Sequence, residues 1–222
     1  VRYTWCMGGL TFFIFLVEVI TGILLMFYYR PVAEYAYADI QYLREDVPLG
    51  IMREMHRWGA HAMVIVVWVH LLRVFLTGSY KAPRQFNWMV GVGLLTLTML
   101  LSFTGYLLPW DQLSMWAVTV GTNMAGAAPV IGHEGPFSLP GVTSSNDLRA
   151  LLLGGPTVGG AALLRFYILH CIALPLALGM GCILHFWRVR RDGGISGPVG
   201  AKAEPTRVAA PNQSDPDNKG AP

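Results

Sequence analysis

Four stretches of this chain, roughly Met7 to Tyr29, Trp58 to Thr77, Asn87 to Leu108 and Phe166 to Trp187, are apolar over about the 20 helical residues that cross a hydrocarbon core. A backbone inside lipid finds no water to bond, so each stretch must satisfy its own N–H and C=O groups as a helix. The expected fold is an all-α membrane protein: a bundle of four transmembrane helices, with surface helices in the long third loop. Composition agrees, since 54% of the 222 residues are hydrophobic and 13% charged, unlike a soluble domain. The first stretch is too long for a secretory signal and no small-residue cleavage site follows it, so it reads as a retained helix.

Four spans place both ends on one side. That side carries Arg2, Arg73, Lys81, Arg84, Arg188, Arg190 and Arg191 with almost no acids before the tail. The opposite side mixes arginines with Glu34, Asp39, Glu45, Asp46, Glu54, Asp111, Glu134 and Asp147. The positive-inside bias puts the first side, and both termini, in the cytoplasm or its equivalent. The net charge of +3 is thus a topology signal, and no basic cluster interleaved with aromatics argues for nucleic acid. Cys6, Cys171 and Cys182 show neither zinc spacing nor a Cys-x-x-Cys-His motif.

The longest loop lies between the third and fourth spans. Its first part, Gln112 to Val130, is apolar but punctuated by Gly121 and Pro129, which suits surface-lying or re-entrant helices. Gly132 to Gly160 is glycine- and proline-rich and reads as irregular, with residues 131–150 as an insertion. Residues 1–198 are expected to form one domain, and 199–222, rich in proline, alanine and charge, a disordered tail.

His56 and His70 are 14 residues apart, so on a helix they differ by about 40° and lie about 21 Å apart along the axis. His170 and His185 are 15 apart, or about 60° and roughly 22 Å. Two such helices side by side would bring His56 level with His170 and His70 level with His185. Imidazole suits haem iron because one ring nitrogen donates to the metal while the other N–H is held by an acceptor. Two ligands per iron leave no open position, so such a site passes electrons. The competing reading is a set of hydrogen-bonding or proton-relay histidines, as in a proton-coupled transporter with helices broken near Pro109 and Pro175. A two-haem anchor of a dehydrogenase is a second rival.

Glycines repeat the same interval: Gly8 and Gly22 on the first helix, Gly91 and Gly105 on the third, each 14 apart. A missing side chain would let a flat ring approach the backbone, although membrane helices also use small residues simply to pack. Arg53 and Arg73 lie one turn beyond His56 and His70 towards the surfaces, placed to meet haem propionates or to snorkel.

The stretches GGLTFFIFLVEVITG, FYYRP, MREMHRWGA, LLRVFLTGSYK, GYLLPWDQLSMWAV and RFYILH resemble the cytochrome b family over nearly the whole chain, from Tyr3 to Pro198 except 132–149. His-Arg-Trp at 56–58, Pro-Trp-Asp-Gln at 109–112, the 15-residue step to His185 and Ile-Ser-Gly-Pro at 195–198 resemble the family's shorter b6 form. The resemblance implies a subunit of a quinol to cytochrome c or plastocyanin oxidoreductase running a bifurcated quinone cycle coupled to proton translocation. It makes His56 and His170 ligands of an outer, low-potential haem b, and His70 and His185 those of an inner, high-potential haem b. Gly8, Gly22, Gly91 and Gly105 pack on those haems. Tyr106, Ala117 and Val120 wall the quinol-oxidising pocket, and Arg190 lies at an inner quinone site.

Cys6, ahead of Gly8 and Gly9, resembles the cysteine that carries a third, covalently attached haem c in b6-type proteins. The family's Pro-Glu-Trp-Tyr motif does not occur in this sequence, so a separate three-helix subunit is expected to supply it. A Rieske iron-sulfur protein, a cytochrome c or f type subunit and a homodimeric complex are the other implied partners. A bacterial inner membrane, or a thylakoid, is the implied location.

Three further residues stand out. Glu18 occupies a mid-helix position where the family commonly has glutamine, and an ionised carboxylate there is costly, so a neutral, hydrogen-bonded group is expected. His61 lies about 140° round the helix from His56, off its face. His133, in the irregular loop, is not expected to be a ligand.

Overall fold

A computed structural model of the chain describes residues 6–46 and 48–193. The expected tail at 199–222, the Ile195–Pro198 motif, Arg2 and Tyr3 lie outside the described residues. All regular structure among the described residues is helical. The helices are α1 (Met7–Met26), α2 (Ala36–Glu45), α3 (Leu49–Leu76), α4 (Gln85–Leu107), α5 (Gln112–Gly126), α6 (Leu148–Leu153), α7 (Gly160–Ile168) and α8 (Leu174–Arg191). A π turn, Leu169–Ala173, joins α7 to α8, so that Gly160–Arg191 runs as one 32-residue span. With α1, α3 and α4 it completes four helices long and apolar enough to cross a membrane.

The observed spans differ from the expected ones where charge lies at their ends. α3 begins at Leu49 rather than near Trp58, because Arg53, Glu54 and Arg57 neutralise one another on its first turns: Arg53 Nη1 lies 2.5 Å and Arg57 Nη1 3.1 Å from the Glu54 carboxylate. α1 stops before the Arg30-Pro31 pair, where proline cannot continue a helix. α3 ends on Gly78 at φ 66°, a left-handed position that glycine takes without strain. α4 ends ahead of Pro109, which disfavours helical backbone at the residue before it.

α1 packs on α3 and α4 packs on α8, so the bundle consists of two helix pairs. Their shared interior layer holds Phe15, Met63 and Leu178, with Leu94, Leu97 and Leu101 against it. Met63 falls halfway between His56 and His70, Phe15 halfway between Gly8 and Gly22, and the buried Thr98 halfway between Gly91 and Gly105. An apolar layer therefore separates two levels. Large apolar side chains elsewhere on the spans, among them Phe13, Ile65, Trp68, Leu176 and Ile183, point outward, as expected where the surrounding medium is lipid or a partner.

The loops are more ordered than their composition suggested. α2 was not apparent in the sequence; the ion pair of Arg30 Nη2 with the buried Asp39 Oδ1, 2.5 Å, fixes it below α1. That guanidinium holds the Asp39 carboxyl below its ordinary value. α5 starts at the Pro109-Trp110-Asp111-Gln112 segment, where Asp111 accepts from Ser114 N and Oγ at 2.8 Å, an N-cap that turns the chain out of α4. The insertion contains α6, capped by Asp147, which accepts from Ala150 N at 2.8 Å and from His133 Nδ1 at 2.5 Å. Burial alone would raise the Asp147 carboxyl, but those donors hold it below the ordinary value. Gly132 is required here, because a side chain would collide with the Gly126 carbonyl.

Candidate functional site

The four histidines sit at two levels of the bundle. At the level nearer the long loop, the His56 ring on α3 faces the His170 ring in the π turn, with centroids 6.2 Å apart and planes at 86°. At the other level, His70 on α3 accompanies His185 on α8. None of the four is exposed. Among the described residues no cluster of three or more His, Cys, Asp or Glu could hold a bare metal ion. Imidazoles in twos suit a metal whose other donors come from a ring.

A uniform α-helix would leave His170 and His185 about 60° apart. A π turn holds about one residue more than an α turn, and His170 lies inside one. The 15-residue step on α8 thereby becomes equivalent to the 14-residue step on α3. Pro175, which lacks an N–H and crowds the preceding turn, follows at once.

Each glycine predicted from spacing opposes one histidine. A Cβ on Gly22 would lie 3.2 Å from His56 Cε1, and one on Gly8 3.2 Å from His70 Cε1. On the other helix pair, a Cβ on Gly105 would lie 2.6 Å from His170 Cε1 and one on Gly91 3.6 Å from His185 Cε1. These glycines thus let an imidazole ring lie against the neighbouring helix, alongside the haem-packing role that the resemblance implies.

The loop-side rings are held at Nδ1. Thr21 Oγ1 donates to the Val17 carbonyl at 2.7 Å, and so accepts from His56 Nδ1 at 2.9 Å. His170 Nδ1 donates to the Leu101 carbonyl at 3.1 Å and to Thr104 Oγ1 at 3.2 Å. A carbonyl accepts only, so the proton lies on Nδ1 and the Nε2 lone pair is free to bind a metal. Thr21 precedes Gly22 and Thr104 precedes Gly105; this repeated Thr-Gly pair is a signal in the sequence that the spacing argument missed.

Metal–imidazole bonds of about 2 Å on both faces of one iron put ring centres roughly 6 Å apart, which the 6.2 Å of the loop-side pair matches. The other level offers different evidence. Nδ1 of His70 and of His185 is buried without a hydrogen-bond partner, although the Asn87 backbone lies near the latter. Beside them, nitrogens of Arg73, Arg84 and Arg188 are also buried without partners. Arg188 also reaches Asp192 through Nη2 at 3.2 Å, but buried guanidinium nitrogens without a partner, as on Arg73 and Arg84, call for an anionic group. Arg84 and Arg188 were not singled out from sequence, where they served only as topology markers. Arg73 was, and its Nε is among these atoms. Arg53, the matching residue at the loop side, pairs with Glu54 instead.

The remaining predicted residues are scattered. Tyr106 and Val120 are exposed, and Ala117 packs against the cluster of Leu107, Val118 and Phe166. Cys6 is exposed at the start of α1 with φ 47°, and a side chain on Gly9 would reach 2.9 Å from its sulfur. Arg190 is exposed at the end of α8. His61 is exposed and donates to the Arg57 carbonyl at 2.7 Å, and His133 is engaged with Asp147, so both stand apart from the paired levels. Glu18 reaches His56, with Oε2 3.1 Å from Nδ1.

Comparison with known proteins agrees with this geometry. The family model described as Cytochrome b/b6/petB matches residues 1–193. Cytochrome b6 of Oltmannsiellopsis viridis is 43% identical over 200 residues, covering 90% of this chain and 86% of that protein. Cytochrome b6 of Synechocystis sp. is 40% identical over 200 residues, covering 90% and 84%. A chain of a solved hyperthermophilic respiratory complex III superposes with a TM-score of 0.78 at 28% identity, over 93% of this chain and 52% of that one. The chain therefore spans about half the length of that solved chain. Two helix pairs presenting histidines at two levels, matched by glycines, and likeness over nine-tenths of its length lead to one conclusion: this chain belongs to the cytochrome b/b6 family.

Proposed function

We propose that this chain is the cytochrome b subunit of a quinol-oxidising, proton-translocating oxidoreductase, in which His56 and His170 would hold the outer haem b and His70 and His185 the inner. The observation that carries this reading is the opposition of each histidine to its own glycine at two levels of the bundle. When bound, the haems supply reversible one-electron carriage. The chain's own work is placement. Thr21, Thr104 and the Leu101 carbonyl fix the outer imidazoles, and the Phe15, Met63 and Leu178 layer keeps the two levels apart in an apolar medium. Arg73 and Arg84, joined by Arg188 once released from Asp192, would hold the carboxylates of the inner haem, and Arg53, once released from Glu54, one of the outer.

Tyr106, Ala117 and Val120 would wall the quinol-oxidising pocket on the outer side. Their partial exposure is consistent with a surface that a separate three-helix subunit completes. A Rieske iron-sulfur protein and a cytochrome c or f type subunit would receive electrons there, within a homodimeric complex. Arg190 and Cys6 lie at the opposite side, where quinone would be reduced. The exposed Cys6 sulfur, with Gly9 leaving room beside it, supports attachment of a third haem c through one thioether. Basic residues at that side support both termini in the cytoplasm of a bacterial cell, with the thylakoid as the equivalent arrangement.

A redox-titrated haem spectrum of the isolated complex tests the reading. Two b-type haems per chain, one lost in His56→Leu and the other in His70→Leu, are expected; a single haem in the native chain sinks it. Haem staining of the denatured polypeptide tests Cys6: staining should be present and vanish in Cys6→Ala.

A further inference from the structure

We infer that Glu18 is a positioning residue for the outer haem: its carboxyl group, set against Nδ1 of His56, lowers the reduction potential of the haem that His56 binds. This inference rests on the haem reading of His56 above. Glu18 lies on α1 one turn ahead of Gly22, the residue that clears the His56 ring. Thr21 takes the direct hydrogen bond from Nδ1 at 2.9 Å, and Glu18 Oε2 stands beside it at 3.1 Å. The Glu18 side chain is only 12% exposed, and its second oxygen, Oε1, is buried without a hydrogen-bond partner.

A carboxyl group so placed is expensive in apolar surroundings, and the neighbouring helix is shaped to receive it. Gly59, one turn beyond His56 on α3, lies where any side chain would collide with Oε1. α1 supplies the carboxyl and α3 supplies the gap. Membrane glutamates that merely tolerate their position turn to a surface or to a cation; this one turns to a ligand's ring nitrogen. Carboxyl oxygen lone pairs set against Nδ1 make the imidazole a stronger donor at Nε2 and favour the more highly charged, oxidised iron.

The effect should be confined to one haem. Among the described residues, His170 meets a threonine and a carbonyl at Nδ1, and the Nδ1 atoms of His70 and His185 have no side-chain acceptor. Glu18 is therefore a source of difference between the two levels that acts through one ligand of four.

The test is potentiometry of the intact complex, with low-spin ferric EPR as a second readout, on the native chain, Glu18→Gln and Gly59→Ala. Both variants should raise the outer-haem midpoint potential and shift its EPR signal while leaving the inner haem where it was. Gly59→Ala keeps the glutamate and displaces it, so it carries the test by the same criteria should Glu18→Gln fail to assemble. An unchanged outer midpoint, or equal shifts of both haems, overturns the inference. A native chain with fewer than two b-type haems overturns the haem reading instead, and His56→Leu identifies which signal is the outer one.

Discussion

His56 and His170 have their Nδ1 atoms engaged by Thr21, Thr104 and the Leu101 carbonyl, whereas His70 and His185 have none engaged and instead sit among the unpaired guanidinium nitrogens of Arg73, Arg84 and Arg188. Both levels use the same helices and the same glycine spacing, so the difference lies in what surrounds the rings. Hydrogen-bond acceptors enrich electron donation at the loop-side level, and cations oppose positive charge at the other. A scaffold repeated every 14 residues can thus surround two like groups differently.

Removing a ligand has the largest expected effect. His170→Leu should abolish the outer haem, halving the b-type absorbance, and leave the inner haem with its native potential; loss of both would mean that the levels do not assemble separately. Next come the glycines. A methyl on Gly105 would meet His170 Cε1 at 2.6 Å, but one on Gly91 would meet His185 Cε1 at an ordinary 3.6 Å. Gly105→Ala should therefore cost about 1–3 kcal/mol of overpacking and weaken outer-haem retention, while Gly91→Ala should be tolerated. Haem retention against denaturant compares the two, and equal sensitivity would remove the distinction.

The reach of the sequence followed the same line. Regular spacing found the four helices, the histidine levels and the four glycines, because a membrane helix repeats its geometry with few exceptions. It missed the π turn, since a bulge of one residue leaves no mark in composition and shows only as the 15-residue step from His170 to His185. It placed Glu18 inside the bundle as a neutral, hydrogen-bonded group without naming the residue it faces, which is His56. Arg84 and Arg188 looked like topology markers because their burial depends on how α4 and α8 meet. The order in residues 131–153 rests on His133, Asp147 and close glycine contacts that no local pattern announces.

Smaller effects sharpen the contrast between the levels. Thr21→Val and Thr104→Val each delete one acceptor at Nδ1, worth about 1 kcal/mol, and should lower the retention of the outer haem alone. Thr104→Val should be the milder, since His170 keeps the Leu101 carbonyl. Thermal loss of the outer-haem spectrum measures both, and matched loss from the inner haem would show that the threonines serve packing instead.

Mild acid gives the smallest effect, and it too should fall on one side. Asp39 and Asp147, buried in the loops that cover the outer level, both ionise below the ordinary 3.8, so their ion pairs and N-cap bonds favour the folded loops. A carboxyl with a lowered folded value adds stability above its unfolded value, and loses it as pH falls through the folded one. Between neutral pH and about 4, their contribution should be constant; below that it should decline, loosening α2 and the 132–153 segment. Hydrogen exchange on those segments, against the tail-side turn at 77–84, would follow it. Uniform loosening of both sides would place the acid response in the bundle rather than in these two carboxylates.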